Sequence, residues 1–432
     1  MSQPIRIGIA GLGTVGAGTV KLLREHAELL ALRGGRALEV VAASARDIKK
    51  DRGVDLGGIR LENDPLALAT ARDVDVVVEV IGGSDGIAKQ VIETAIANGK
   101  HVVTANKALL ALHGSAIAGL AEARGVILGF EAAVAGGIPI IKALREGLVG
   151  NKVKRLFGIL NGTCNYILTT MRESGRDFAD VLADAQKLGY AEADPGFDID
   201  GIDAAHKLSL LTAVAFGVPV NFAGVHVEGI RTVGALDIRF AEELDCRIKL
   251  LGLARETEHG IEQRVHPCLV PKTAPIASVD GVFNAVAVEG DFVGPTMFEG
   301  RGAGAGPTAS AVVSDLVAVA RGHGVPAFVV PAALLAAKPV SPIERHRGAY
   351  YLRLMVLDRP GVIADVTAAL RDEHVSLESM LQHGRARGPD DTVPVVLTTH
   401  VTEEAAMRRA LARIAGLATM REAPTLIRIE DL

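Results

Sequence analysis

The chain reads as an α/β protein of three units, and three observations predict it. Short β-branched runs alternate with helical stretches from the N-terminus to about residue 130, which implies a parallel sheet covered by helices on both faces. A complete glycine pattern, Gly11-Leu12-Gly13-Thr14-Val15-Gly16, lies between the first strand candidate and the first helix candidate. Past residue 348 the order β-α-β-β-α-β runs through about 80 residues, a ferredoxin-like plan.

In chain order, residues 5–10 alternate apolar and small side chains as a strand. Glycines follow, then a helical stretch over 15–30. Residues 38–43, 75–81 (D-V-V-V-E-V-I), 101–104 and 126–130 are further strand candidates, and 87–98 reads as a helix stopped by Gly99. From Glu131 the texture changes to Gly-rich turns and mixed polarity, as expected of an α+β domain inserted after the sheet. Residues 301–308 (R-G-A-G-A-G-P-T) lead into a helical run over 309–321, and prolines and lysines mark a hinge around 331–342. In the last unit, 349–357 alternates as a strand and 358–361 (D-R-P-G) is a turn. Residues 362–373 form an amphipathic helix, 375–380 and 393–400 are strands, 403–414 is a helix and 425–429 a last strand. The boundaries expected are 1–130 for the nucleotide-binding domain, 131–304 for the second and 348–432 for the third.

Composition narrows the function. Of 432 residues, 49% are hydrophobic and 22% charged, with no tryptophan and a net charge of -5. No basic stripe stands out, so nucleic acid is not an expected partner. No apolar run approaches the roughly 20 residues that span a bilayer. The N-terminus enters the fold at once, so no signal peptide is expected. Cys164, Cys246 and Cys268 have no metal-like spacing and cannot all pair, which fits a reducing cytoplasm.

The glycine pattern has a mechanism. The first glycine allows a tight turn, the second lets backbone approach a pyrophosphate, and the third lets helix and sheet pack closely. The helix N-terminus supplies N–H donors and a positive dipole end for phosphates. Sites for NAD place an acid at the end of the second strand to hold the ribose 2′-OH. Here that strand ends in Ala43-Ser44-Ala45-Arg46, and Glu39 lies at its wrong end. Ser44, Arg46 and Lys49 or Lys50 suit a 2′-phosphate, so NADP(H) is favoured over NAD(H).

The second chemical signal is residues 189–207, G-Y-A-E-A-D-P-G-F-D-I-D-G-I-D-A-A-H-K. Glu192, Asp194, Asp198, Asp200 and Asp203 crowd into it, and Lys207 closes it. Asp203 and Lys207 share a helix face at i,i+4. Alone, the segment reads either as a solvated loop with an ordinary ion pair or as a site that binds a charged substrate and moves a proton.

With these features in hand, the chain resembles a monofunctional homoserine dehydrogenase with a C-terminal ACT domain. The resemblance runs end to end. It rests on G-L-G-T-V-G, on Val103-Thr104-Ala105-Asn106-Lys107, on residues 130–139 (F-E-A-A-V-A-G-G-I-P), on residues 161–166 (N-G-T-C-N-Y), on the acidic segment and on Gly302-Ala303-Gly304. It implies reversible hydride transfer between NADP(H) and L-aspartate 4-semialdehyde/L-homoserine, on the way to threonine, methionine and isoleucine. Lys207 becomes the candidate proton donor and Asp203 its orienting partner; Lys107 is a further catalytic candidate that contacts the nicotinamide end of the cofactor and the substrate, and the division of proton transfer between the two lysines stays open. Glu192 and Asp198 become ligands for the substrate ammonium, and Thr163 and Gly162 for its polar end. Asp194, Asp200 and His206 stay structural.

The resemblance also implies a structural Na+ or K+ site at Glu131, Val134, Gly136 and Ile138, built largely of backbone carbonyls. Thr104, Gly304 and Thr308 become cofactor contacts beside the glycine pattern. The helix after Pro307 would then return to the nucleotide domain, closing it with residues near 305–340. The turn at 358–361 resembles the ACT loop, and the resemblance implies an amino-acid effector site there, with L-threonine as the effector, and a homodimer or homotetramer. Two other readings compete. One is an acylating dehydrogenase using Cys164 as a thiol nucleophile, and the other is a non-enzymatic NADP-dependent amino-acid sensor.

Overall fold

The fold is that of a computed structural model, which describes residues 3–384, 388 and 391–432. Strands β1 (Ile5–Ala10), β2 (Leu38–Ser44), β3 (Arg60–Glu62), β4 (Val76–Glu79), β5 (His101–Thr104) and β6 (Leu128–Gly129) form one sheet in the order β3-β2-β1-β4-β5-β6. Every pairing in it is parallel. Strand order reverses between β1 and β4, and open α/β sheets bind ligands in the crevice at that point. One register row crosses the carboxyl ends of four strands: Ser44, Ala10, Glu79, Thr104.

The helix expected over 15–30 is two helices, Thr14–Glu25 and Ala27–Gly34, broken at His26. The helix Ala305–Ala320 starts earlier than expected and packs on Thr14–Glu25 so tightly that a Cβ on Gly18 would lie 2.9 Å from the Ala305 carbonyl oxygen. Val312, Leu316 and Val319 of that helix share a core with Ile7, Ile9 and Val78 of the sheet.

Among the described residues the second sheet has eleven strands. Its main path runs Gly294–Arg301, Phe283–Gly290, Val153–Ile159, Cys246–Thr257, Gly260–Pro271, Thr425–Ile429, Arg347–Leu357, Thr392–Thr399, Leu377–Gln382. The helix Ile202–Phe216 lies between this sheet and the helix Lys107–Ala123. Every residue from Asp203 to Val214 is buried, as expected of a helix packed on all sides.

The C-terminal unit has the predicted element order and shares a sheet with the second unit: Thr425–Ile429 pairs antiparallel with Arg347–Leu357 and parallel with Gly260–Pro271. One continuous sheet therefore runs from the second unit into the third. The segment around 331–342 is not a free hinge. The Ile261 N–H donates to the Pro339 carbonyl (2.9 Å), the Ser341 N–H to the Ile261 carbonyl (2.9 Å), and the Ala332 N–H to Glu122 (2.6 Å). Among the described residues no helix is long and apolar enough to cross a membrane.

Candidate active site

The glycine turn is shaped by its own backbone contacts. Gly11 has φ +106°, and a Cβ there would meet the Val80 carbonyl oxygen at 2.8 Å. A Cβ on Gly16 would lie 2.0 Å from the Gly11 carbonyl oxygen, whereas one on Gly13 would meet nothing within 4 Å. The outer glycines are thus demanded by packing, and the middle one leaves an open floor at a helix N-terminus. That floor belongs to a cavity of about 980 Å³ lined by Gly11, Leu12, Gly13, Thr14, Ser44, Arg46 and Lys50 among others. The chemistry fits a dinucleotide: free N–H groups for a pyrophosphate at one end and cations at the other. Val15 and Gly16 do not line it; Val15 packs on the core and Gly16 is buried. Lys49 stands outside the lining, and Arg52 stands inside. Arg52 was not singled out from the sequence. Its guanidinium is held by the carbonyls of Leu12 (2.8 Å), Lys50 (2.6 Å) and Asp47, so it braces the cationic end.

Thr104 departs from expectation. Its side chain is fully buried and its hydroxyl donates to Glu79 Oε2 (2.7 Å) while accepting the Asn106 N–H (3.0 Å). The hydroxyl supports the cofactor crevice from behind rather than facing it. Asn106 caps the helix Lys107–Ala123 by accepting the Leu109 N–H (3.1 Å), which sets Lys107 on the first turn.

Tertiary structure then gathers the acidic cluster. Lys207 Nζ lies 2.7 Å from Asp203 Oδ2 and 2.7 Å from the Leu160 carbonyl oxygen. Lys107 Nζ lies 3.1 Å from Asp203 Oδ1, so one carboxylate holds two lysines, one per oxygen. Burial pushes the Asp203 carboxyl up, but Lys207 and Lys107 more than reverse this and hold it well below the ordinary carboxylate range. The Asn161 amide donates to Asp203 Oδ2 (2.9 Å) and to Asp198 Oδ1 (2.9 Å), and its oxygen caps the helix Gly162–Ser174 through the Cys164 N–H (2.8 Å). No role was assigned to Asn161 from the sequence, although an Asn just before a helix was a usable signal. The Thr163 hydroxyl lies 2.8 Å from the Tyr190 carbonyl oxygen and 3.1 Å from Asp198 Oδ2. Burial and the charge on Asp203 raise the Asp198 carboxyl. Gly162 opens the same helix, and a Cβ there would lie 2.8 Å from the Val282 carbonyl oxygen.

Accessibility separates the two lysines. The Lys207 side chain is 11% exposed; that of Lys107 is 32% exposed and lies 5.8 Å from the Phe197 ring centroid. Glu192 is exposed and is not joined to the Asp203 network. Asp194 accepts the Gly196 N–H (3.2 Å) and Asp200 pairs with Arg231. His206 packs between Phe197 and Phe222. The Cys164 thiol is fully buried, and burial, then Asp198 and Asp203, push it well above the ordinary thiol range. A thiolate nucleophile is therefore disfavoured there.

Around Glu131, both carboxylate oxygens are taken by N–H groups, of Ile141 (2.9 Å) and Lys142 (2.9 Å). Burial and the nearby Asp315 still push its carboxyl up to about 7. The following turn places Ala135 (φ 56°) and Gly136 (φ 50°) in the left-handed region. The oxygen-only character of Glu131, Val134, Gly136 and Ile138 carbonyls suits a hard cation. Gly304 (φ +115°) opens the helix Ala305–Ala320 and its carbonyl accepts the Thr308 N–H (3.1 Å), with Thr308 buried.

Comparison with known proteins places the chain in a family. Residues 139–317 match the family model described as Homoserine dehydrogenase, residues 11–131 that described as Homoserine dehydrogenase, NAD binding domain, and residues 350–416 that described as ACT domain. The homoserine dehydrogenase of Neisseria gonorrhoeae is 48% identical over 436 residues, covering 100% of this chain and 99% of that protein. A crystal structure of a homoserine dehydrogenase from Thiobacillus denitrificans superposes with a TM-score of 0.93 at 51% identity, covering 99% of this chain and 98% of that one. A hyperthermophilic archaeal homoserine dehydrogenase in complex with NADPH covers 73% of this chain and 97% of its own, with a TM-score of 0.63 and 28% identity. The chain therefore belongs to the homoserine dehydrogenase family, oxidoreductases acting on a CH–OH group, with a nicotinamide-dinucleotide-binding domain and a C-terminal ACT domain.

Proposed function

We propose that this chain catalyses the reversible NADP(H)-dependent reduction of L-aspartate 4-semialdehyde to L-homoserine, in threonine, methionine and isoleucine biosynthesis in the cytoplasm. The observation that carries this reading is the Asp203 carboxylate shared between Lys207 and Lys107. The bound cofactor supplies the hydride. As charge grows on the aldehyde oxygen, a positioned ammonium that donates to it lowers the barrier. Lys207 has three N–H donors, and Leu160 and Asp203 occupy two of them, so one is left for that oxygen. Lys107, more open and at a helix start, meets the nicotinamide end of the cofactor and the substrate. Asp203 orients both lysines. Asp198 and the exposed Glu192 receive the substrate ammonium, and Thr163 with the Gly162 N–H receives its polar end.

Arg46, with Lys50, would hold the 2′-phosphate. The glycine pattern Gly11, Leu12, Gly13, Thr14, Val15 and Gly16 would hold the pyrophosphate, with the backbone of Gly304 and Thr308 closing over the cofactor. The NADPH in the archaeal relative supports this choice. Glu131, Val134, Gly136 and Ile138 would hold a structural Na+ or K+. The turn before the helix Val362–Asp372, entered through Gly361 at φ +97°, would take L-threonine as a feedback effector in a homodimer or homotetramer.

The test is homoserine-dependent NADP+ reduction. Lys207→Ala should lower kcat by about 10²–10⁴-fold, and turnover close to wild type would overturn the role. Arg46→Ala should raise KM for NADPH far more than for NADH; equal effects would sink the NADP assignment. Threonine should shift activity or the thermal midpoint, and a flat titration of both would remove the effector role.

A further inference from the structure

We propose that Glu79 is the positioning residue for the nicotinamide end of the cofactor site. It locks the loop after β4 to the loop after β5 and thereby sets where Lys107 meets the cofactor. The inference rests on the dehydrogenase reading above.

Glu79 is the one acid in the run D-V-V-V-E-V-I that is fully buried, at 0% exposure, directly after three buried valines. Core packing does not call for it, because a carboxylate taken from water is costly unless its oxygens are met. Here they are met by loops. Oε1 accepts the N–H groups of Ile81 (2.8 Å) and Gly82 (3.2 Å), and Oε2 accepts the Thr104 hydroxyl (2.7 Å). From Thr104 the chain of bonds continues. The Thr104 oxygen accepts the Asn106 N–H (3.0 Å), and the Asn106 amide donates back to the Gly83 carbonyl (2.8 Å). The result is a closed ring of hydrogen bonds joining the two loops.

The ring lies where it matters. Glu79 sits in register with Ala10 and Thr104, beside the crevice where strand order reverses. Val80 and Ile81, the next two residues, line the dinucleotide cavity, and the Val80 carbonyl sits against Gly11. Gly82 (φ +87°) and Gly83 (φ +92°) follow in the left-handed region, so this loop loses much backbone freedom when it is ordered. The Glu79 carboxylate provides that ordering. At the other end of the ring stands Asn106, the residue that caps the helix carrying Lys107.

The test compares wild type, Glu79→Gln and Glu79→Ala, in the full-length protein, by three readouts. These are kcat with homoserine, the Kd of NADPH, and the Kd of adenosine 2′,5′-bisphosphate, which carries only the adenine half of the cofactor. Glu79→Ala should lower kcat by about 10²-fold, since misplacement of reacting groups by about 1 Å costs that much. It should weaken NADPH while leaving the adenine fragment bound as in wild type. Glu79→Gln keeps an acceptor for Ile81 and Gly82 and should recover part of both losses. Equal weakening of NADPH and the fragment would overturn the proposal in favour of a purely structural role, and so would an unchanged kcat. Should wild type fail to oxidise homoserine, the functional reading falls, but the comparison of NADPH with its adenine fragment still decides the role of Glu79.

Discussion

The candidate active-site cluster and the junction between the two halves of the large sheet are both largely buried sets of opposite charges, and they are built differently. At the junction, Arg428 reaches Glu404 (2.9 and 2.5 Å) and Glu228 (2.8 and 3.1 Å), and Arg264 reaches Glu262 (2.5 Å) and Glu430 (3.1 Å). Glu404 also takes the Tyr350 hydroxyl (2.9 Å) and Arg408 (2.8 Å). Planar guanidinium groups meet carboxylates side-on, in geometry that is strong and directional. His266, Cys268 and Glu430 lie within 4.8 Å of one another, like metal ligands. Arg264 already occupies Glu430 and His266 Nε2 (2.7 Å), and the other ring nitrogen lies 2.9 Å from the Pro267 carbonyl oxygen, so that set is satisfied. The candidate active site uses lysines instead. Two of them divide one carboxylate, and Lys107 stays open to a ligand. A saturated cluster keeps a shape, whereas a cluster with donors to spare can act on a substrate.

Substitutions that remove one partner from each cluster should therefore separate stability from turnover. The largest effect on rate is expected for Asp203→Asn, which releases both lysines and should lower kcat by about 10²–10⁴-fold. Homoserine-dependent NADP+ reduction measures it, and a loss of less than tenfold would break the contrast. Arg428→Met should instead remove about 3–5 kcal/mol of stability by taking the guanidinium away from the fully buried Glu404 carboxylate. Denaturant titration reads that loss, and kcat per folded molecule should stay at the wild-type value. A fall in kcat without a fall in stability would mean that the junction communicates with the chemistry.

The pH dependence of the thermal midpoint sharpens the comparison. Burial pushes the Glu404 carboxyl up, but its bonds to Arg428 hold it below the ordinary range. A depressed acid stabilises the fold fully above its unfolded value, about 4.3, and the contribution disappears as pH falls through the folded value. Glu131 is the reverse case, raised to about 7 by burial and Asp315. Its contribution is complete below the unfolded value of about 4.3 and is lost as pH rises through the folded value. Glu404→Gln should flatten the acid limb and Glu131→Gln the limb between weakly acid and neutral pH. Curves parallel to wild type would refute both. The smallest effect belongs to Asp200→Asn: its exposed pair with Arg231 stands apart from the lysines, so turnover should not change although it lies in the same acidic segment.

How much was legible follows from distance along the chain. The glycine pattern was readable because its demands are local: a positive φ at Gly11 and a Gly16 Cβ that would strike the Gly11 carbonyl. The pairing of Asp203 with Lys207 was readable because four residues is one helical turn. The strand over 425–429 was expected with the residues it has, yet its second neighbour was not. Neither edge of a strand carries a signal that says how many partners it will take. Thr104 was expected at the cofactor through the family resemblance, and only burial against Glu79 revealed that its hydroxyl points inward. Glu79 itself read as one letter in a strand.

By itself, the sequence determined most elements of the first and third units, the conformation of the glycine turn and the helical pairing of Asp203 with Lys207, because propensity, capping and helical periodicity act within a few residues. Tertiary structure alone decided three things. It brought Lys107 to the second oxygen of Asp203, tied Glu79 to Thr104 on the neighbouring strand, and joined the last strand to the sheet of the second unit. Each of these contacts links residues far apart in the chain, and they become neighbours only after the cores have packed and the strands have found their register.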